Sequence, residues 1–377
     1  MKHIGLLLHF YQPPTQDPEI VKRIDLECYR PLFQLLLDTG VPVTINMNYS
    51  LTEQLAEFAP ETLKIVSKLS EQTFTSSGAF HPIFPLIPED EVRRQLLLND
   101  LGNKKLIGEG YSPIGAFPPE LAVNMKTIKL IGKLGYSWTV TDDVPWVFEH
   151  SEVPSKWIPS VDGTGVFLRS NFWSNLISFH GGSGDEMVAR MIDDLHEWSG
   201  EEDSYVILAM DGETFGHHRP GAIESFLTPF FNQLKKEENI TISSLETIFN
   251  EFPKRESFIP AGSWSTVPSD LKTEEPFPLW NHSLNENHIT YWKLLNFVLQ
   301  NVRKSSNTDV ATSVDKMLYS CPMWWASPGR ESFSQVRRGI LLIIKAALGN
   351  ITERVFLDQV MELTGQIPAM ARKDKDA

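Results

Sequence analysis

Two short segments carry carboxylates where a folded chain could use them for chemistry. In Ala209-Met210-Asp211-Gly212-Glu213-Thr214-Phe215-Gly216-His217-His218, the apolar run Tyr205-Val206-Ile207-Leu208 comes first, so a buried strand would deliver acids into a glycine-flexed loop. Partial desolvation at such a mouth raises a carboxyl pKa and suits the group to donate a proton near neutral pH. In Gly115-Ala116-Phe117-Pro118-Pro119-Glu120-Leu121-Ala122, an apolar strand ends in two prolines that fix the backbone before one glutamate. Rigid presentation suits a nucleophile. Each has a plainer reading too: Asp211 as a loop carboxylate capping a following helix, Glu120 as a first-turn residue favoured by a helix dipole.

Together the two acids have a sharper implication. Glycoside cleavage with retention needs two carboxyl groups about 5 to 5.5 Å apart, one to attack the anomeric carbon and one to protonate the leaving oxygen. Nearby polar groups suit a sugar site: His9-Phe10-Tyr11-Gln12-Pro13-Pro14 and Gly78-Ala79-Phe80-His81-Pro82-Ile83 offer histidine and glutamine for hydroxyls. Aromatic faces stack on pyranose rings, and the chain has 10 tryptophans, Trp138, Trp146, Trp173 and Trp280 among them, although most tryptophans fill cores. Asp142 and Asp143 read first as a solvated loop or helix cap, with Asp142 the better candidate for a sugar hydroxyl.

Two other classes compete. Thr141-Asp142-Asp143 and His217-His218 supply ligand types that a metal-dependent polysaccharide deacetylase would use, but adjacent histidines lack the i, i+4 spacing that puts two imidazoles on one helical face. A non-catalytic glucan-binding protein would keep the cleft aromatics without turnover.

The elements that must position these groups alternate. Short apolar or β-rich runs at 4–10, 41–47, 74–80, 114–117, 137–141, 166–168, 205–210 and 241–243 are interleaved with helical spacing at 61–69, 89–101, 123–134, 185–198 and 221–236. Strand–helix alternation implies α/β class with a parallel sheet. Seven or eight such units within about 250 residues suit a closed (β/α) barrel, and no GxGxxG follows the first strand to favour dinucleotide binding. His9, His81, Glu120, Asp142 and Asp211 all fall at or just past strand ends, where barrel enzymes place their chemistry. A Pro- and Ser-punctuated stretch at 252–278 leads to helical patterns at 289–303, 308–319 and 334–348, and the charged tail at 371–377 is expected to fray.

Composition sets outer limits. The 377 residues are 41% hydrophobic and 22% charged, as for a compact enzyme. A formal charge of −14 repels phosphate backbones and anionic lipid, so neither nucleic acid nor membrane is an expected partner, while a neutral substrate is not penalised. Two cysteines, Cys28 and Cys321, are too few for a disulfide framework and lack structural zinc spacing. The opening apolar stretch is too short for a signal segment and no run could span a bilayer, so a cytoplasmic location is expected. The oligomeric state is not encoded legibly.

These segments resemble family 57 of the glycoside hydrolases, whose members act on α-glucans as amylases, amylopullulanases, 4-α-glucanotransferases and branching enzymes. His9-Phe10-Tyr11-Gln12-Pro13 is similar to the family's first motif, and 78–88, from Gly78 through His81-Pro82, to its second. Phe117-Pro118-Pro119-Glu120 is similar to the nucleophile region, with Phe117 where tryptophan is usual, and Asp211-Gly212-Glu213-Thr214-Phe215-Gly216 to the acid/base region. The resemblance therefore implies Glu120 as nucleophile and Asp211, not Glu213, as proton donor. Trp280-Asn281-His282-Ser283-Leu284-Asn285-Glu286-Asn287 is similar to a fifth segment that reaches the site, so Trp280 and His282 are expected to touch substrate. With them, the expected substrate contacts are His9, Gln12, His81, Trp138, Asp142, Glu213, Phe215 and His217. The implied fold is an incomplete, TIM-like (β/α)7 barrel at 1–258 followed by an α-helical bundle at 259–377, with no cofactor and no metal.

Overall fold

The computed structural model describes residues 1–180, 182–303 and 312–372. Among them ten strands form one sheet: β1 (Lys2–Phe10), β2 (Thr44–Met47), β3 (Thr73–Ser77), β4 (Gly115–Phe117), β5 (Trp138–Asp142), β6 (Ile158–Val161), β7 (Thr164–Arg169), β8 (Ser204–Asp211), β9 (Ile240–Ser243) and β10 (Lys254–Glu256). Seven of them close a parallel barrel in the order β1-β2-β3-β4-β5-β7-β8. The β7–β8 seam rests on a single register pair, Arg169 with Ile207. Each of the eight expected strands overlaps an observed one, but β9 extends off the lower half of β1 rather than joining the ring. β6 and β10 were not foreseen; they form a short flap outside the ring, with β6 antiparallel to β7 and parallel to β10.

Alternation along the strands decides what faces inward. On β1, Ile4, Leu6, Leu8 and Phe10 join the core under the surrounding helices, while Leu7 points into the barrel. On β8, Val206, Leu208 and Met210 face the helices, and Tyr205, Ile207 and Ala209 face inward. A period of two then puts His9 and Asp211 on the inward phase at the upper end, where they are register partners. The lower end is filled by Leu245, Ile248 and Phe252 together with Trp138, which heads β5. A Cβ on Gly115 would lie 2.1 Å from the Trp138 ring, so a glycine at that place on β4 lets the indole fit.

The C-terminal region is helical, with Glu286–Val302, Phe333–Asn350 and Arg354–Gly365 as its longest members. The part of the expected 308–319 helix before Thr312, and the tail from Lys373 onward, lie outside the described residues. Leu294, Val298, Val336 and Ile340 share one apolar core with Ile83, Leu96 and Ile131 from the barrel side. A buried ion network joins the two as well: Asp315 takes paired bonds from Arg94 at 2.6 and 2.9 Å, and Arg303 bridges Asp315 and Glu91. Among the described residues no helix is long and apolar enough to cross a membrane.

Candidate active site

A cavity of about 960 Å³ opens at the upper end of the barrel, under the helical region. His9, Gln12, His81, Glu120, Asp211 and Glu213 all line it. Strand ends supply the floor, and Trp324, Trp325 and Arg338 of the helical region supply part of a wall.

Glu120 sits on the turn that the two prolines set up, with its backbone in the left-handed region at φ 60°. Such a conformation is costly for a non-glycine residue and persists only where its surroundings impose it. Trp264 imposes it here twice: its backbone N–H donates to the Glu120 carbonyl at 3.1 Å, and its indole Nε1 donates to carboxylate Oε2 at 2.6 Å. Burial pushes the Glu120 carboxyl up to about 8, against the pull of the indole donor and with a further push from the charge of Asp211. Asp211 is also raised by burial, opposed by His9 and Arg169. No side-chain donor among the described residues reaches its carboxylate. Glu213, two residues on, is pushed up to about 8 by burial and by Asp211, and accepts bonds from Tyr29 Oη at 2.6 Å and Gln12 Nε2 at 3.4 Å.

Two histidines stand between these acids. His9 Nδ1 lies 2.6 Å from Asn46 Oδ1, and its Nε2 lies 3.2 Å from His81 Nε2. Phe117 stacks on His9 at 4.6 Å between centroids and Tyr11 stacks on His81 at 4.0 Å. Burial lowers the pKa of His9, and burial plus the proximity of His9 lowers that of His81 further, so both rings are neutral near pH 7.

Residues 9–261 match the family model described as Glycosyl hydrolase family 57. The chain belongs to this family. Alpha-amylase 1 of Dictyoglomus thermophilum is 25% identical to this family 57 chain over 281 residues, 70% of the chain and 39% of the amylase. A 4-α-glucanotransferase from Thermococcus litoralis superposes with a TM-score of 0.76 at 19% identity, covering 93% of this chain and 60% of that one. A branching enzyme from Thermococcus kodakaraensis gives 0.69 at 15% identity, covering 97% and 94%. At such identities the two superpositions show a shared fold. The chain thus spans about two fifths of the amylase's length and three fifths of the glucanotransferase's.

Six expected contacts do not line the cavity. Trp138 faces inward but at the wrong end of its strand, packed edge-on against Phe167 at 5.4 Å. Trp280 is fully buried in the helical core and its carbonyl accepts from Trp292 Nε1. Phe215 stacks on Phe226 beneath the outer helices. His217 turns away to Glu27, 2.6 Å from Nδ1, and His282 turns to Glu275 at 3.6 Å. Asp142 is buried and caps the helix Asp143–His150 while binding Arg169 Nη1 at 2.7 Å. It reaches the cavity through that arginine, which does line it, and through Asn171, which accepts from the cavity-lining Asn175.

Sequence reasoning missed Trp264, Arg169 and Tyr11. Trp264 lies in the Pro- and Ser-punctuated stretch at 252–278; a lone tryptophan in Ala261-Gly262-Ser263-Trp264-Ser265 was the available signal. Arg169 ends Val166-Phe167-Leu168, and a cation closing an apolar strand marks an inward, paired position. From there its Nε donates to the Ala209 carbonyl at 2.6 Å, tying β7 to β8 beside their single register pair.

Proposed function

We propose that this family 57 protein is a retaining glycoside hydrolase or transglycosylase acting on α-glucans, with Glu120 as nucleophile and Asp211 as general acid/base. One observation carries the reading: Glu120, on the turn after β4, and Asp211, at the end of β8, are desolvated carboxyls lining one cavity, and of the two Glu120 holds an indole donor among the described residues. A donor to a carboxylate favours the ionised form, whereas burial without one favours the protonated form. Two nearby acids cannot both ionise cheaply, so the pair holds one proton, on Asp211 when Glu120 is charged.

In the first step Asp211 gives its proton to the glycosidic oxygen as the Glu120 carboxylate bonds to the anomeric carbon and the leaving sugar departs. In the second, Asp211 takes a proton from water or a sugar hydroxyl, whose oxygen attacks the same carbon and frees Glu120. Two inversions retain configuration. Hydrolysis and transfer differ only in the acceptor. Trp324, Trp325 and Trp264 offer ring faces for pyranose units along the cavity. We read 1–258 as the catalytic barrel and 259–377 as a helical part of the cleft, a division that makes Trp264 the helical part's direct link to the nucleophile.

The amylase, glucanotransferase and branching-enzyme names of the relatives favour α-glucans over other polysaccharides. The deacetylase alternative has less support, since Asp142 is engaged by Arg169 and His217 by Glu27. Chromatography of products from maltooligosaccharides, amylose and pullulan tests the proposal. New oligosaccharides that Glu120→Gln fails to make would support it; unchanged substrates throughout would overturn it.

A further inference from the structure

Five side chains form a hydrogen-bonded line beneath the paired acids, starting in the helical region and ending on β3. Ser320 Oγ lies 3.0 Å from His81 Nδ1, His81 Nε2 lies 3.2 Å from His9 Nε2, His9 Nδ1 lies 2.6 Å from Asn46 Oδ1, and Asn46 Nδ2 donates to Thr75 Oγ1 at 2.8 Å. Every member is buried. The partners fix the direction of the line. Asn46 presents its carbonyl to His9, so His9 Nδ1 carries the hydrogen and its Nε2 accepts. His81 Nε2 must then carry a hydrogen to meet it, which leaves His81 Nδ1 as an acceptor for the Ser320 hydroxyl.

That nitrogen is the one facing the nucleophile, 4.0 Å from Glu120 Oε1. Ser320 also donates its backbone N–H to the His81 carbonyl at 3.2 Å, holding a residue whose φ of 60° is itself strained. We propose that Ser320 is a positioning residue that holds His81 in its Nε2-protonated tautomer, and so keeps a second proton donor away from Glu120. Without the hydroxyl, a buried lone pair would face a carboxylate, and reversing the line, with the Asn46 amide flipped and each ring proton moved to the other nitrogen, places a hydrogen on Nδ1 without charging the buried ring. His81 would then become a donor to Glu120, lowering the nucleophile's pKa and with it its nucleophilicity. The other titratable groups around His81 are His9 and Tyr11 on the barrel side, Asp211 beyond His9, and Cys321 and Tyr319 of the helical region near the Tyr11 hydroxyl. None of these hydrogen-bonds to Nδ1, whose partner is the Ser320 hydroxyl.

The inference rests on the reading of Glu120 as nucleophile, and its test separates the two. Ring-nitrogen NMR of histidine-labelled protein reports which nitrogen of His81 is protonated, whether or not the enzyme turns over. In the wild type and in Ser320→Thr, Nδ1 should stay free of a proton across the active pH range. In Ser320→Ala it should gain one within that range, and the ascending limb of kcat/KM should move about 1 pH unit toward acid. Ser320→Thr should restore the limb, which a packing defect would not explain. An unprotonated Nδ1 in Ser320→Ala, or a protonated one with an unmoved limb, would overturn the proposal. A fully active Glu120→Gln would instead remove the nucleophile reading and leave the nitrogen spectra standing.

Discussion

Trp264 donates its indole N–H to Glu120 Oε2 at 2.6 Å from 144 residues further along the chain. With the backbone bond at 3.1 Å beside it, one tryptophan holds the conformation of the glutamate and favours its anion against the push of burial. The proposed mechanism needs Glu120 ionised, so activity should rise with pH through its pKa. Burial has pushed that value up to about 8, which places the ascending limb of kcat/KM far above the usual carboxylate range. Trp264→Phe keeps most of the ring but removes a donor that favours the anion. The limb should move further up and kcat/KM at pH 7 should fall on the order of tenfold or more. A pH–rate series on both proteins checks this.

Trp138 and its neighbour Gly115 belong to the floor of the barrel, away from the chemistry. Trp138→Leu should cost about 2–4 kcal/mol of stability, by loss of burial and the cavity left behind, with KM for maltooligosaccharides unchanged. Gly115→Val, which drives a side chain into the Trp138 ring, should destabilise the fold by about 1–3 kcal/mol or more. Denaturant titration with parallel kinetics separates stability from binding.

Asp315 anchors the helical region to the barrel through Arg94 and Arg303. Burial works to raise its pKa, yet the hydrogen bond from Arg94 and the charge of Arg303 prevail and hold it below the usual range. A depressed carboxylate stabilises the fold above its unfolded pKa, and that contribution is lost as pH falls through the lower folded value. Asp315→Ala removes the paired acceptor of Arg94 and one of the two carboxylates that hold Arg303, and should cost about 3–5 kcal/mol. Thermal melts at pH 7 and near pH 3 should show a large gap between the two proteins that narrows at the lower pH.

Much of the barrel was legible because its strands repeat a local pattern. Apolar runs and turn signals mark β1, β5 and β8, and inward alternation alone puts His9 and Asp211 on one face. Which end of a strand a residue occupies was harder to use. Trp138 and Asp211 both face inward, but Trp138 begins its strand and Asp211 finishes one, so only the second reaches the mouth. Trp280 and Phe215 sit in motifs that reach toward the site, yet their large rings are claimed by the cores behind it. Trp264 escaped notice because its role depends on a long-range contact with a strained turn, and no local period encodes that. The Ser320–His81 bond is of the same kind, joining residues 239 apart.

The most direct measurement is mass spectrometry of peptides after turnover of a fluorinated α-glucosyl fluoride, which slows release of any sugar bound to the protein. The expected result is one added glucosyl unit on the peptide containing Glu120, with none on that containing Asp211 and no labelling of Glu120→Gln. A sugar carried by another residue, or turnover through an inverted product with no labelled peptide, would contradict the assignment of Glu120 as nucleophile.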